Sequence, residues 1–321
     1  MKLTDIYRQY RRDIAFLEKE IEKNTSSEHP VLQQASSHIR KAGGKRIRPV
    51  FVLLSAGYGE YDLDRLKNVA VPLELIHMAS LVHDDVIDDA DKRRGKMTIK
   101  AKWDNRTAMY AGDYMFAKAT EMAAAGGQSE VHLILSRTMR EMCLGEIEQL
   151  RDQFVIHQQL RDYLRRIKRK TALLISASCE LGAVVSGAEP QYIRALRQYG
   201  YYVGMAFQIT DDILDFVGTE KELGKPAGSD LVQGNVTYPA LYAMQRDEEL
   251  RKMVTGYMMN PDNEDLDIEE VISRIRSTGA VEASKELADL YVQKAQDALH
   301  PLPGDTAPLK EIAAYIGSRK F

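Results

Sequence analysis

Cysteine is scarce: the chain of 321 residues has two, Cys143 and Cys179. Neither sits at metal-ligand spacing, so a disulfide-stapled scaffold and a cysteine zinc site are both excluded. Two buried free thiols in a reducing cytoplasm are the expectation. Long apolar runs are also missing. The best candidate for a membrane span, "TALLISASCELGAVVSGA", is interrupted by Glu180, so no membrane span is expected. The N-terminus, "MKLTDIYRQYRRDIAF", is too polar for a signal peptide. A net charge of -3 gives no general attraction to nucleic acid or anionic lipid. Alternating Val/Ile/Thr runs closed by Asn-Gly or Asp-Gly turns do not occur, which argues against a sheet. No low-complexity linker divides the chain.

Helical spacing recurs instead, in segments of roughly 15 to 25 residues separated by short breaks. Those breaks include "AGGKRIRP" at 42–49, "DADKRRGK" at 89–96, "SGAEP" at 186–190 and "ELGKPAGSD" at 222–230. Apolar residues at 44% and charged residues at 28% suit a soluble globular protein. The reading is a single all-α domain over residues 1–321, with roughly ten or more helices, larger than a four-helix bundle.

Against this background one stretch is anomalous. "LVHDDVIDDADKRRG", 81–95, places Asp84, Asp85, Asp88, Asp89 and Asp91 at the end of an apolar helical pattern. A partial copy, "FQITDDILD" at 207–215, repeats the Asp-Asp-apolar-apolar-Asp order. Asp84 and Asp88 share a helix face, as do Asp211 and Asp215, and like charges at that spacing disfavour a helix by a few tenths of a kcal/mol. Hard divalent cations are the obvious remedy. Mg²⁺ keeps several waters, takes one or two carboxylates, and bridges to substrate phosphate. A solvated acidic helix end and general acid–base work by carboxylate pairs are the alternatives. Neither explains the duplication and the neighbouring cations as well.

Those cations are Lys45, Arg46 and Arg48 in "GGKRIRP", Arg93 and Arg94 in "KRRG", and the run "RRIKRKT" at 165–171. In that run Lys170 and Thr171 border an apolar helix and are the residues expected to point inward. Glycines let backbone approach an anion, and a helix start adds free N–H groups. Arginine's planar fork suits phosphate oxygens. His77 lies seven residues before Asp84, on nearly the same face; read alone, it would be a satisfied core histidine. Acidic clusters, cationic loops and greasy helices together suggest an enzyme acting on an apolar diphosphate.

Six ordered motifs, "GGKRIRP", "LELIHMASLVHDDVIDDADKRRG", "RKTALL", "FQITDDILD", "GKPAGSDL" and the ending "YIGSRKF", resemble the trans-polyprenyl diphosphate synthases, relatives of farnesyl diphosphate synthase. The likeness runs from about residue 30 to the C-terminus and leans toward the bacterial heptaprenyl-forming enzymes. It implies an isoprenoid-synthase-type helical bundle around a deep central cavity. It also implies repeated condensation of isopentenyl diphosphate onto an allylic diphosphate such as farnesyl diphosphate, with three Mg²⁺ ions per active site. The product would be heptaprenyl diphosphate for menaquinone side chains. A small, sequence-unrelated partner subunit is implied as well, with a homodimer as the alternative.

Residue by residue, the resemblance makes Asp84, Asp88, Asp211 and Asp215 metal ligands, supported by Asp85 and Asp212. Lys45, Arg48, His77 and Arg94 match the isopentenyl diphosphate site. Arg93, Lys170, Thr171, Gln208 and Lys225 match the allylic diphosphate site. Ile76, Ala79 and Ser80 match the wall that sets product length; Ala79 and Ser80 are small, which implies a medium-to-long product. One departure is plain: relatives carry a lysine where "GNVTYP" has Asn235. A type I terpene cyclase and a noncatalytic helical subunit are the rival classes. The paired aspartate motifs with "GGKRIRP" speak against the first, and intact aspartates and arginines against the second.

Overall fold

A computed structural model describes residues 3–41, 43–44, 46–93, 95–218, 226–261 and 266–318. Among these residues it has seventeen α-helical segments, short ones included, one π-helical turn, and two strands of two residues each. The all-α expectation holds. The exception is an antiparallel pair, β1 (Lys92–Arg93) and β2 (Lys96–Met97), with Lys92 opposite Met97 and Arg93 opposite Lys96. It formed where the sequence suggested only a break, because two residues per strand leave no alternation to detect.

The chain divides into two compact units: residues 1–139, 174–200 and 298–311 form the first, and 140–173, 201–297 and 312–321 the second. In the first, the early helices are α1 (Leu3–Gln9), α2 (Arg11–Thr25), α3 (Pro30–Lys41), α4 (Ile47–Ala56) and α5 (Leu63–Ile87). After the strands come α6 (Ile99–Lys102), α7 (Asn105–Ala125), the start of α8 (Ser129–Asp152), α10 (Leu173–Val185, from Leu174) and the start of α11 (Pro190–Val217). Helix α5 starts at Asp62, whose side chain accepts hydrogen bonds from the Asp64 and Arg65 amides, satisfying orphan donors of the first turn. It packs against α4 and α7. Helix α4 is buried from Pro49 to Ala56, a stretch apolar on every side but for Ser55. Phe51 stacks edge-on to Tyr199 with centroids 6.2 Å apart, and the buried Tyr199 hydroxyl donates to the Leu309 carbonyl at 2.7 Å. Both prolines expected at helix starts are there: Pro49 in the first turn of α4 and Pro190 at the first position of α11.

The second unit contains the rest of α8 and α11, α9 (Leu160–Ile167) and a π turn (Lys168–Ala172). It continues with α12 (Ser229–Val232), α13 (Tyr238–Met244), α14 (Glu248–Met259), α15 (Ile268–Ser277) and α16 (Ala280–Asp297). Helix α17 (Ala307–Gly317) contributes residues to both units. Helix α13 packs on α9, α14, α15 and α16. The last turn of α11 leaves carbonyls without helical partners. Arg276 of α15 reaches one of them, donating from Nε to the Phe216 carbonyl at 2.9 Å.

The cysteines correct one expectation. Cys179 is buried on α10, but Cys143 is exposed on α8, because its position falls on the outward side of that helix. Among the described residues no helix is long and apolar enough to cross a membrane.

Phe51 is fully buried. Phe51→Ala is expected to cost about 3–5 kcal/mol, read as a lower urea midpoint; a midpoint unchanged from the parent would show that α4 is not core.

Candidate active site

In the first unit the site grows from the C-terminal half of α5. Upstream, the helix is sealed on all sides from Val69 to Ile76. From His77 onward the helix opens: His83, Val86 and Ile87 are at least partly exposed, and so is the row His77, Ser80, Leu81, Asp84 and Asp88, while Met78, Ala79, Val82 and Asp85 remain buried. Steps of three and four residues put that row on one face. Of the three proposed length-setting residues, Ser80 therefore lies on the open stripe. Ile76 and Ala79, at 1% and 0% exposure, pack into the interior.

The other aspartates are tied to cations. Arg93 donates from Nε to Asp85 Oδ1 at 2.8 Å. Burial pushes the Asp85 carboxyl above its ordinary pKa, and the Arg93 charge opposes this. Lys100 of α6 reaches Asp89 at 2.6 Å and Asp91 at 3.4 Å. Asp85, Asp89 and Asp91 thus each meet a cation, and Asp84 and Asp88 lie on the partly exposed face.

The turn that allows this is local. Asp89 takes a left-handed φ of 51°, a region that Asp tolerates better than most residues, and leads the chain out of α5. Thr98 donates to the Ala90 carbonyl at 2.8 Å and caps α6 by accepting from Ala101. Beneath lies a cluster of Ala35, Val82, Ile99, Ala108 and Ala111, flanked by Ile39 and Trp103. The strand pair is fastened to α3: a ring nitrogen of His38 bonds the Met97 carbonyl at 2.6 Å, and Lys96 Nζ donates to the Lys41 carbonyl at 2.5 Å. Lys41 is the residue before "AGGKRIRP", so the strand pair is fastened where that stretch begins in sequence. Arg48 lies in the first turn of α4. Lys45 and Arg94 fall outside the described residues.

In the second unit Thr171, Gln208 and Asp212 form one hydrogen-bonded series, and Lys170 and Asp215 have separate partners. The π turn closes with the Leu173 amide bonded to the Lys168 carbonyl, one residue wider than an α turn. Such insertions concentrate at functional sites. Lys170 Nζ donates to Gln149 at 2.9 Å. Thr171 donates to Gln208 Oε1 at 2.5 Å, and Gln208 Nε2 to Asp212 Oδ1 at 2.9 Å. Gly204 permits the approach of α11, since a Cβ there would stand 2.5 Å from the Ala172 Cα. Asp211 is exposed. Asp215 is buried, and its carboxylate accepts from the Ser229 hydroxyl at 3.1 Å and the Asp230 amide at 3.3 Å, because the chain folds back over the end of α11. Asn235 is half-buried and donates its amide to the Asp230 carbonyl at 2.8 Å. Lys225 lies outside the described residues.

Tyr163 was missed by the sequence reading. It is fully buried and donates its hydroxyl to Asp212 Oδ2 at 2.7 Å. A tyrosine on an amphipathic helix looks like ordinary core, so no sequence signal marked it. Burial, followed by the charge of Asp230, pushes Asp212 up to about 7, against the hydrogen bonds from Gln208 and Tyr163. Among the described residues no three His, Cys, Asp or Glu side chains converge as a metal cage. Mg²⁺ takes one or two carboxylates and fills its shell with water and phosphate oxygens. Oxygen donors paired on an open helix face fit such an ion.

A model of the polyprenyl synthetase family matches residues 29–275. The chain belongs to that family. It is 54% identical, over the full length of both chains, to a protein named heptaprenyl diphosphate synthase component 2 from Geobacillus stearothermophilus. Among solved structures it resembles the heptaprenyl diphosphate synthase of Staphylococcus aureus, with TM-score 0.91 and 42% identity, covering 96% of this chain and 98% of that one. It also resembles a polyprenyl synthase of Caulobacter crescentus complexed with calcium and isoprenyl diphosphate, with TM-score 0.95 and 32% identity over 99% and 98% of the two chains. As a polyprenyl synthetase the chain has both aspartate motifs in full.

A raised pKa means that folded Asp212 holds its proton more tightly than the unfolded chain does. Stability therefore falls as pH rises from the ordinary carboxylate value, about 4, toward about 7. With chelator present, Asp212→Asn is expected to shrink the drop in Tm between about pH 5 and about pH 8. An undiminished drop in that variant would locate the titration elsewhere.

Proposed function

We propose that this chain is the catalytic subunit of a heptaprenyl diphosphate synthase. It condenses isopentenyl diphosphate repeatedly onto an allylic diphosphate, farnesyl diphosphate being the starter, to give an all-trans product suited to menaquinone side chains. The observation that carries this reading is the open stripe of α5, with His77, Asp84 and Asp88 in line and the basic loop and strand pair alongside. The names of the relatives at 54% identity support the product length.

In this reading residues 1–321 act as one synthase domain. Asp84, Asp88, Asp211 and Asp215 hold three Mg²⁺ ions, and Asp85 and Asp212 orient them. When bound, Mg²⁺ supplies charge stabilisation to the leaving diphosphate. Lys45, Arg48, His77 and Arg94 hold isopentenyl diphosphate. Arg93, Lys170, Thr171, Gln208 and Lys225 hold the allylic diphosphate. Arg93 does so while paired to Asp85, which fixes its guanidinium. The hydrogen-bonded series Thr171, Gln208, Asp212 and Tyr163 sets the side chains before substrate arrives. The allylic C–O bond breaks with its electron pair leaving on diphosphate, the double bond of isopentenyl diphosphate forms the new C–C bond to the allylic cation, and a proton passes to the released diphosphate to restore a double bond.

The partner is a small subunit, and the location is the cytoplasm. Leu144, Ile147 and Leu150 of α8, exposed at 41%, 63% and 50%, offer an apolar surface for association.

Incubation with labelled isopentenyl diphosphate, farnesyl diphosphate and Mg²⁺, with and without the partner, tests the reading. Chain elongation is expected; cyclisation without incorporation would indicate a terpene cyclase. Asp84→Ala or Asp88→Ala is expected to lower the rate by at least about two orders of magnitude, and near-normal turnover at saturating Mg²⁺ would remove the central assignment.

Product length provides a separate test. Ser80→Phe adds bulk on the open stripe one turn before Asp84, and shorter products are expected. Ala79→Tyr adds bulk at a sealed position and is expected to lower stability by about 1–3 kcal/mol. Chromatography of the products decides: unchanged lengths from both active variants would rule out this part of α5 as the ruler.

A further inference from the structure

Of the proposed isopentenyl diphosphate ligands, Lys45 precedes α4 in sequence and Arg48 lies in its first turn. Between them stands Arg46, whose sequence position suggested only a third cation. Arg46 has a left-handed backbone, φ 48° and ψ 36°, without a glycine's freedom. Its side chain is turned inward and is 9% exposed. Nη1 donates to Glu74 Oε1 at 2.9 Å, and Nε lies 3.5 Å from Glu18 Oε1 on α2. Glu74 belongs to the sealed part of α5; its side chain is 4% exposed, and its Oε2 has no hydrogen-bond partner among the described residues.

Two unfavourable features therefore coincide at one residue. A non-glycine left-handed backbone persists only where surrounding structure enforces it. A buried ion pair, with one carboxylate oxygen unmatched, is often no more stable than an apolar pair of the same volume. Stability alone gives no reason for either. Position does: Glu74 lies three residues before His77, one helical turn away, and Arg46 lies between Lys45 and Arg48. The pair ties the start of α4, which carries Arg48, to the helix that carries His77.

We propose that the Arg46–Glu74 ion pair is a positioning strut for the isopentenyl diphosphate pocket, holding the start of α4, with Arg48, at a fixed distance from His77 on α5. Neither residue touches substrate. This inference rests on the assignment of Lys45, Arg48 and His77 to that substrate, and deepens it.

Kinetics with the partner subunit present test the strut. The Arg46→Met/Glu74→Leu double variant replaces the pair with apolar side chains of similar size, so the core stays filled without an orphaned charge. A strut predicts a KM for isopentenyl diphosphate raised about tenfold, with the allylic KM within about twofold and Tm close to the parent. Arg46→Lys, which keeps the charge but not the planar fork, is expected to fall between the double variant and the parent. A double variant with both KM values at the parent level would make the pair merely structural and overturn the proposal, as would equal rises in both. Lys45→Ala and Arg48→Ala serve as controls in the same assay. If they leave the isopentenyl KM unchanged, the pocket assignment fails and the strut with it. If they raise it while the double variant does not, the strut alone fails.

Discussion

Mutual repulsion of carboxylates is the constraint on which the rest of this protein turns. Five aspartates follow one another at the end of α5, and an α-helix brings every fourth residue onto the same face. The fold resolves most of that charge internally, with Arg93 on Asp85 and Lys100 across Asp89 and Asp91. Asp84 and Asp88 stay side by side on the open stripe. A cation and an anionic substrate complete such a pair, and the chain's other cations are distributed accordingly.

That arrangement requires a rigid base. Helix α5 is sealed along its middle turns and opens again from His77 onward, where the proposed ligands lie. The strand pair, too short to be stable alone, is held by α3 through His38 and by the Lys96 contact to Lys41. Ion pairs so close to a buried cluster are less screened than surface ones. The carboxylate–guanidinium pairing of Asp85 and Arg93 thus joins the acidic helix to the basic turn that follows it.

The second motif is built differently. Asp212 is sunk into the unit and held by Gln208 and Tyr163, and Asp215 organises the chain segment that follows α11, while Asp211 remains exposed. The same Asp-Asp-apolar-apolar-Asp order therefore supports two local structures. In the first the middle aspartate pairs with arginine, and in the second it accepts neutral hydrogen bonds; burial raises both carboxyls, at Asp85 against the Arg93 charge. Burial without a neighbouring cation raises a carboxyl pKa, and a guanidinium opposes that rise.

The helical class, the paired acidic motifs and the shared face of His77 and Asp84 were legible from residue order, because helix periodicity and i, i+4 spacing are local properties of the chain. The inward bias of Lys170 and Thr171 was legible too, from the apolar run they border. The π turn that carries them was not, since one extra residue in a turn leaves no trace in composition. Nor were the partners of Asp212, because Tyr163 and Asp212 are forty-nine positions apart and a core tyrosine reads as packing. The exposure of Cys143, the sealing of Ala79 against the opening of Ser80, and the inward turn of Arg46 were likewise decided by tertiary structure. Residue order determines which side chains share a face of a helix; which face is covered, and by what, depends on segments that meet only when the chain folds.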